Sequence, residues 1–393
     1  MYPLAASRME RIKQSGIRYM LEKALKLEQS GQKIIHFEQG RTDFDTHELI
    51  KKAAIEALKN GFVHYTLSMG MPEVRQAVAE DLQARLGLEV DIDQVMITVG
   101  STGGIINAWM VILEPGDEVI VPDPMYLFYL DWPEFFGART VRLPLKLEED
   151  FQISGQALEY CCTSRTKAIV LNSPHNPTGV CFNQDSLNAV AKVAQSRNLV
   201  VISDECYDRI IYPPHQHISI ATLPGMQERT LLCNSLSKSF AMDGWRLGYV
   251  VGPADLLYEM DKAQQHTVIN AATFIQQAAI TALKLGDEVT RPMLDEYIAR
   301  RKLILDIVNS FPELGYFKPQ GAFYLWLNTG LEHIGGLDLA DTVLEKALVA
   351  ITPGEVFGAQ GKGFIRISYS NSRENIEKGM IRLIQVLREL KDG

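Results

Sequence analysis

The chain has 393 residues, enough for two domains with substantial cores. Charged residues make up 22% and apolar residues 46%, ordinary globular values, and the formal net charge of -9 argues against nucleic acid or an anionic membrane as a partner. No run of about eighteen apolar residues occurs, Ser7 to Lys26 carries mixed charges where a signal peptide would be apolar, and the five cysteines lack CxxC spacing, so a soluble cytoplasmic protein with reduced thiols is expected.

An amphipathic helix is expected over residues 7–29. Short β-branched runs follow at 95–99, 118–121, 168–171, 199–203, 231–233 and 249–251, with helical segments between them, the pattern of an α/β sheet. Beyond residue 286 the texture changes to long amphipathic helices over 289–308 and 373–390 around short strands at 322–327 and 364–368. Residues 45–285 are therefore expected to form a large domain, and residues 1–44 with 286–393 a smaller, discontinuous α/β domain. In open parallel sheets ligands sit at the carboxyl ends of the strands, and the polar groupings of this chain fall there.

The segment Thr98-Val99-Gly100-Ser101-Thr102-Gly103-Gly104 passes from a strand into an apolar helix. Such a turn gathers backbone N–H groups into an anion site, or is simply tight. It matches neither GxGxxG nor a P-loop with GK[ST]. Asn172 to Gly179 reads NSPHNPTG after the run 168–171, a turn composition in which His175 is expected as a turn residue. Asp204 closes a buried-looking strand, where a carboxylate is costly to ionise unless a cation meets it; its neighbour Glu205 reads as a solvated or capping acid. Ser235-Leu236-Ser237-Lys238, with Arg246 eight residues on, sets an amine nucleophile beside hydroxyls and a guanidinium, a grouping suited to a bound phosphate, with a polar loop as the plain alternative. Arg366 lies in the otherwise apolar run 364–368 and needs a planar anion, either a bound carboxylate or an internal acid. His215 and His217 lack a third ligand at useful spacing, so no metal is expected. No GxSxG occurs, and Phe323 to Trp326 reads as core strand.

Taken in order from Gly40 to Arg366, these motifs resemble the pyridoxal-phosphate aminotransferases of classes I and II, in the aspartate aminotransferase superfamily. The resemblance implies fold type I, with a mostly parallel seven-stranded sheet in the large domain, a smaller α/β domain and a homodimer with shared active sites. It implies that Lys238 carries pyridoxal 5'-phosphate as an internal aldimine and shuttles the substrate proton. By the same resemblance Asp204 pairs with the ring nitrogen, Asn176 and Tyr207 donate to the phenolic oxygen, and Tyr126 stacks on the ring. Ser101, Thr102, Ser235 and Arg246 match phosphate ligands, and Tyr65 matches a tyrosine that reaches the phosphate of the neighbouring subunit. Arg366, with Gly40 and Asn176, matches the clamp on the substrate α-carboxylate. The implied reaction moves an amino group from an amino acid to a 2-oxo acid; a lyase, decarboxylase or oxidase on the same scaffold is the alternative. Where many relatives have Gly-Glu-Pro-Asp, this chain has Gly40-Arg41-Thr42-Asp43, and Arg41 is a candidate reader of an acidic, aspartate- or glutamate-like side chain.

Overall fold

The computed structural model describes residues 4–12 and 14–392; the ends expected for the small domain at residues 1–3 and 393 lie outside the described residues, as does Lys13. In chain order the strands are β1 (Ile35–His36), β2 (Val95–Thr98), β3 (Glu118–Asp123), β4 (Arg139–Pro144), β5 (Thr166–Asn172), β6 (Val200–Asp204), β7 (Thr230–Ser235), β8 (Gly248–Val251), β9 (Gly315–Phe317), β10 (Tyr324–Asn328), β11 (Val349–Ala350), β12 (Thr352–Pro353) and β13 (Phe364–Ser368). A seven-stranded sheet has the order β2-β8-β7-β6-β5-β3-β4 and is parallel except for β8, which runs against β2 and β7. The expected α/β class and mostly parallel seven-stranded sheet are therefore observed. Strands β3, β5, β6 and β7 are almost wholly buried, as expected of strands covered on both faces.

In the large sheet the strand absent from the sequence reading is β4; outside it the short strands β1, β9, β11 and β12 are absent too. The residues of β4 alternate around charged Arg139 and Arg142, and only Leu143 is buried, so at the sheet edge its polar side chains face outward and blunt further pairing. The N-terminal helix differs as well. A 3-10 turn, Ser7–Arg11, is separated from the helix Gly16–Gln29, whose N-cap Ser15 accepts a hydrogen bond from the Arg18 N–H. A serine cap followed by glycine starts a new helix rather than continuing one. Ile17 thereby enters the central cavity described below.

A four-stranded antiparallel sheet, β12-β13-β10-β9, carries Arg366 opposite Trp326 and Thr352. The N-terminal segment meets it where Phe37 O accepts from the Ser368 N–H of β13, while β1 pairs with β11 in a separate two-stranded sheet. Trp326 is fully buried, stacked on Phe364 at 5.2 Å and edge-on to Phe357 at 5.7 Å. Burying an indole contributes roughly 4–6 kcal/mol gross, an upper bound, which fixes the strand that presents Arg366. No helix among the described residues is long and apolar enough to cross a membrane.

Candidate active site

A cavity of about 280 Å³ opens at the carboxyl ends of β2, β5, β6 and β7 and is closed by β10 and β13. Its walls bring together Gly40, Ser101, Thr102, Tyr126, Asn176, Asp204, Tyr207, Ser235, Lys238, Arg246 and Arg366. Two sequence-predicted candidates lie outside it, Tyr65, which is 80% exposed, and Arg41.

Ser101 and Thr102 lie in the first turn of the helix Gly100–Ile112, which no side chain caps, so the positive end of the helix is open to an anion. Gly100 has φ +68°, and a Cβ there would stand 2.6 Å from Nη2 of Arg246. A glycine is required because the guanidinium packs against that backbone. Arg246 is exposed and donates from Nη1 to the Asp243 carbonyl at 2.8 Å. Across the turn the hydroxyls of Ser235 and Ser237 meet at 2.7 Å. Two hydroxyl pairs, a helix terminus and a guanidinium thus converge on one place, a donor set that suits a phosphate.

Asp204 ends β6 and is buried. The Tyr129 hydroxyl donates to its Oδ2 and the Cys206 N–H to its Oδ1 at 3.1 Å, but no described cation forms an ion pair with it. Burial pushes its pKa upward against these two donors. A positively charged group entering the cavity would relieve that burial. Lys238, partly buried beside it, donates from Nζ to the Gly40 carbonyl at 2.5 Å. Burial draws the amine below the usual lysine range, with Arg366 and Arg246 acting in the same direction. A lysine so placed has a larger neutral, nucleophilic fraction than one in water.

Arg366 is 1% exposed. It donates from Nη1 to Asn176 Oδ1 at 2.9 Å and from Nη2 to the Glu38 carbonyl at 2.6 Å, and it lies over the Tyr324 ring at 4.5 Å. These acceptors are neutral; of the two anions open to it in the sequence, an internal acid is not among its described partners. Its charge remains available to a planar anion in the cavity.

Several lining residues were not singled out from sequence. Tyr129 sits three residues after Tyr126 on the helix Phe128–Phe135, and an i, i+3 aromatic spacing was the signal that could have found it. Residues 323–326 are core, as read from the sequence, but Tyr324 also lines the cavity, and its hydroxyl meets that of Tyr207 at 2.7 Å. Glu205 needs correction: it is 1% exposed, hydrogen-bonded by Ser203, Ser219 and His217, because the turn after β6 folds it back under the loop that carries His217. His175 is a buried turn residue, with Nδ1 2.8 Å from Thr178 Oγ1. Arg41 is exposed and does not line the cavity of its own chain.

Residues 32–383 match the family model for aminotransferase class I and II. The chain belongs to this family. This aminotransferase is 37% identical to an aspartate aminotransferase of Pyrococcus horikoshii, over 97% of each chain. It is 36% identical to aromatic-amino-acid aminotransferase 2 of Thermococcus litoralis, over 98% of this chain and 99% of that one. Among solved structures it is similar to an aspartate aminotransferase of Thermus thermophilus with maleate, at TM-score 0.92 and 34% identity, covering 98% of this chain and all of the other. The aminotransferase fold and the transaminase activity expected from the motifs are therefore those of the family to which the chain belongs.

Proposed function

We propose that this aminotransferase binds pyridoxal 5'-phosphate in the central cavity and passes an amino group between an amino acid and a 2-oxo acid. The observation that carries the reading is Asp204, a buried carboxylate with two hydrogen-bond donors and no cation among the described residues, set in one cavity with Lys238 and the cluster of phosphate-type donors. A protonated pyridine nitrogen is the cation it lacks. Ser101, Thr102, Ser235 and Arg246 would hold the phosphate, Asn176 and Tyr207 the phenolic oxygen, and Tyr126 a ring face. Bound there, the cofactor supplies an electron sink for the electrons released at the substrate Cα.

The chain's own groups do the rest. Arg366 and Asn176, beside Gly40, orient the substrate α-carboxylate. With the cofactor bound, the Lys238 amine would be the base that takes the proton from the substrate Cα and the acid that returns it. The buried walls of Tyr324 and Ile105 keep water from that proton.

Relatives named for aspartate favour an acidic donor; Arg41, outside the cavity of its own chain, adds no support to that reading. Residues 45–285 are read as the cofactor-binding domain, with 1–44 and 286–393 forming the second. A homodimer is supported by the exposed apolar side chains Leu58, Val63, Tyr65 and Leu67, close together in the chain. In that assembly Tyr65 serves the partner's cavity. Free thiols at all five cysteines fit a cytoplasmic location.

A single half-reaction tests the proposal. With pyridoxal phosphate loaded and one amino acid but no 2-oxo acid, the visible absorbance should convert to that of the pyridoxamine form, with one equivalent of 2-oxo acid released. Ammonia or carbon dioxide in its place would make the enzyme a lyase or decarboxylase. Running a panel of amino acids identifies the donor.

A further inference from the structure

Behind the cavity lies a buried charge cluster that the reaction leaves unused. Glu205 follows Asp204 directly and lies outside the cavity lining. Its Oε1 accepts from the Ser203 and Ser219 hydroxyls at 2.8 and 2.7 Å, and its Oε2 from His217 Nε2 at 2.7 Å, with the His217 side chain only 5% exposed. A second carboxylate next to a buried one disfavours its ionisation, and Glu205 acts on Asp204 in that direction.

The surrounding charges can be counted. Arg85 on the helix Pro72–Leu86 meets Asp81 at 2.9 Å and Asp208 at 3.0 Å, and Arg209 also meets Asp81. Asp287, the other partner of Arg209, is solvent-exposed. Among the described residues, three carboxylates with buried side chains, Asp81, Glu205 and Asp208, therefore face two guanidiniums. Asn234 is neutral, and Tyr249 is held protonated by burial. The cluster touches the cavity a second time through Asn234, which donates to Asp208 at 2.9 Å and accepts from the Ser235 N–H at 2.6 Å.

We propose that His217 is held as a cation and acts as a positioning residue for Asp204: by neutralising Glu205 it leaves Asp204 the single uncompensated carboxylate at the buried end of β6. The inference rests on the reading of Asp204 as partner of the cofactor's ring nitrogen. Burial alone would push the imidazole toward its neutral form, and Arg85 acts with it, but Glu205 and Asp208 outweigh both and its pKa is raised. A neutral ring protonated at Nε2 would make the same hydrogen bond, so the charge is the quantity to measure.

In the purified wild-type protein carrying nitrogen-labelled histidine, NMR should find the His217 ring doubly protonated at about pH 7.5, a unit above an ordinary histidine midpoint. A neutral ring overturns the proposal, whether or not cofactor binds. In the protein loaded with pyridoxal phosphate, the pH midpoint of the Lys238-linked visible absorbance should rise by about one unit in His217→Gln, because an unmatched Glu205 favours the protonated linkage. Glu205→Gln should leave the midpoint in place, since His217 then gives up its proton. The double variant should return to the wild-type midpoint, which a purely structural lesion would not do. An unmoved midpoint in His217→Gln, or no restoration in the double variant, overturns the proposal. Failure of the wild type to develop the absorbance would count against the cofactor reading, while the NMR measurement still decides the charge of His217.

Discussion

The Tyr129 hydroxyl donates to Oδ2 of Asp204 while the Cys206 N–H occupies Oδ1, so both oxygens of the buried carboxylate are held before any ligand arrives. Burial and the adjacent carboxylate push the Tyr129 hydroxyl well above the ordinary phenol range, so it keeps its proton and remains a donor. A hydrogen bond to a charged group is worth about 1.5–3 kcal/mol, or roughly 10- to 150-fold in an equilibrium. Tyr129→Phe should weaken pyridoxal-phosphate binding by that factor, read from absorbance titration. Wild-type affinity in the variant would show that the bond does not tune Asp204.

Lys238→Ala should remove both the covalently linked visible absorbance and turnover. In the wild-type apoprotein, burial lowers the amine pKa, so the neutral amine is populated at lower pH than in a free lysine. The rate at which Lys238 captures pyridoxal phosphate should rise with pH and level off below the ordinary lysine midpoint of about 10.4. A rate still climbing at that pH would place the amine in a solvent-like environment.

Gly40 approaches the clamp closely: a Cβ there would stand 2.5 Å from the Tyr324 hydroxyl. Gly40→Ala should displace Tyr324 from Tyr207 and from the face of Arg366, at a cost of about 1–3 kcal/mol. Steady-state kinetics should report it as a KM raised roughly 5- to 150-fold. Unchanged KM would mean that the turn moves aside freely.

His175 sets a pH dependence of stability. Burial lowers its pKa from 6.5 to about 3. Between those values the unfolded chain binds the proton and the folded chain does not, so stability falls as pH drops, by about 1.4 kcal/mol per unit from this one site. Urea unfolding of the wild type and of His175→Asn should differ in slope by that amount between about pH 6 and 4.5. Parallel curves would mean that the buried imidazole accepts a proton.

Strand positions in the large sheet were legible because each parallel strand is a short apolar run ended by a polar turn, and burial on both faces leaves that mark on composition. Strand β4 was not, since an edge strand with one buried side chain resembles a loop. The same holds in the site. Asp204 and Arg366 stand out because a charge among apolar residues needs an explanation, and Lys238 and Asn176 because each sits in a polar turn that resembles a family motif. Tyr129 and Tyr324 do not, because a tyrosine that packs in a core and one that turns its hydroxyl to a cavity have the same neighbours in sequence.

By itself the sequence determined the α/β class, the order of the motifs along the chain and the residue types that hold an anion, an amine and a carboxylate. Those follow from local chemistry: periodicity, turn residues and the cost of burying a charge. Only the tertiary structure decided what each charge meets. It set Asp204 apart from any described cation, folded Glu205 onto His217 instead of into solvent, and left Arg41 outside the cavity. The contacts join residues hundreds of positions apart, as in Arg366 with the Glu38 carbonyl, 328 positions away. Pairing energy depends on distance and burial in three dimensions, and neither is written in the spacing of residues along the chain.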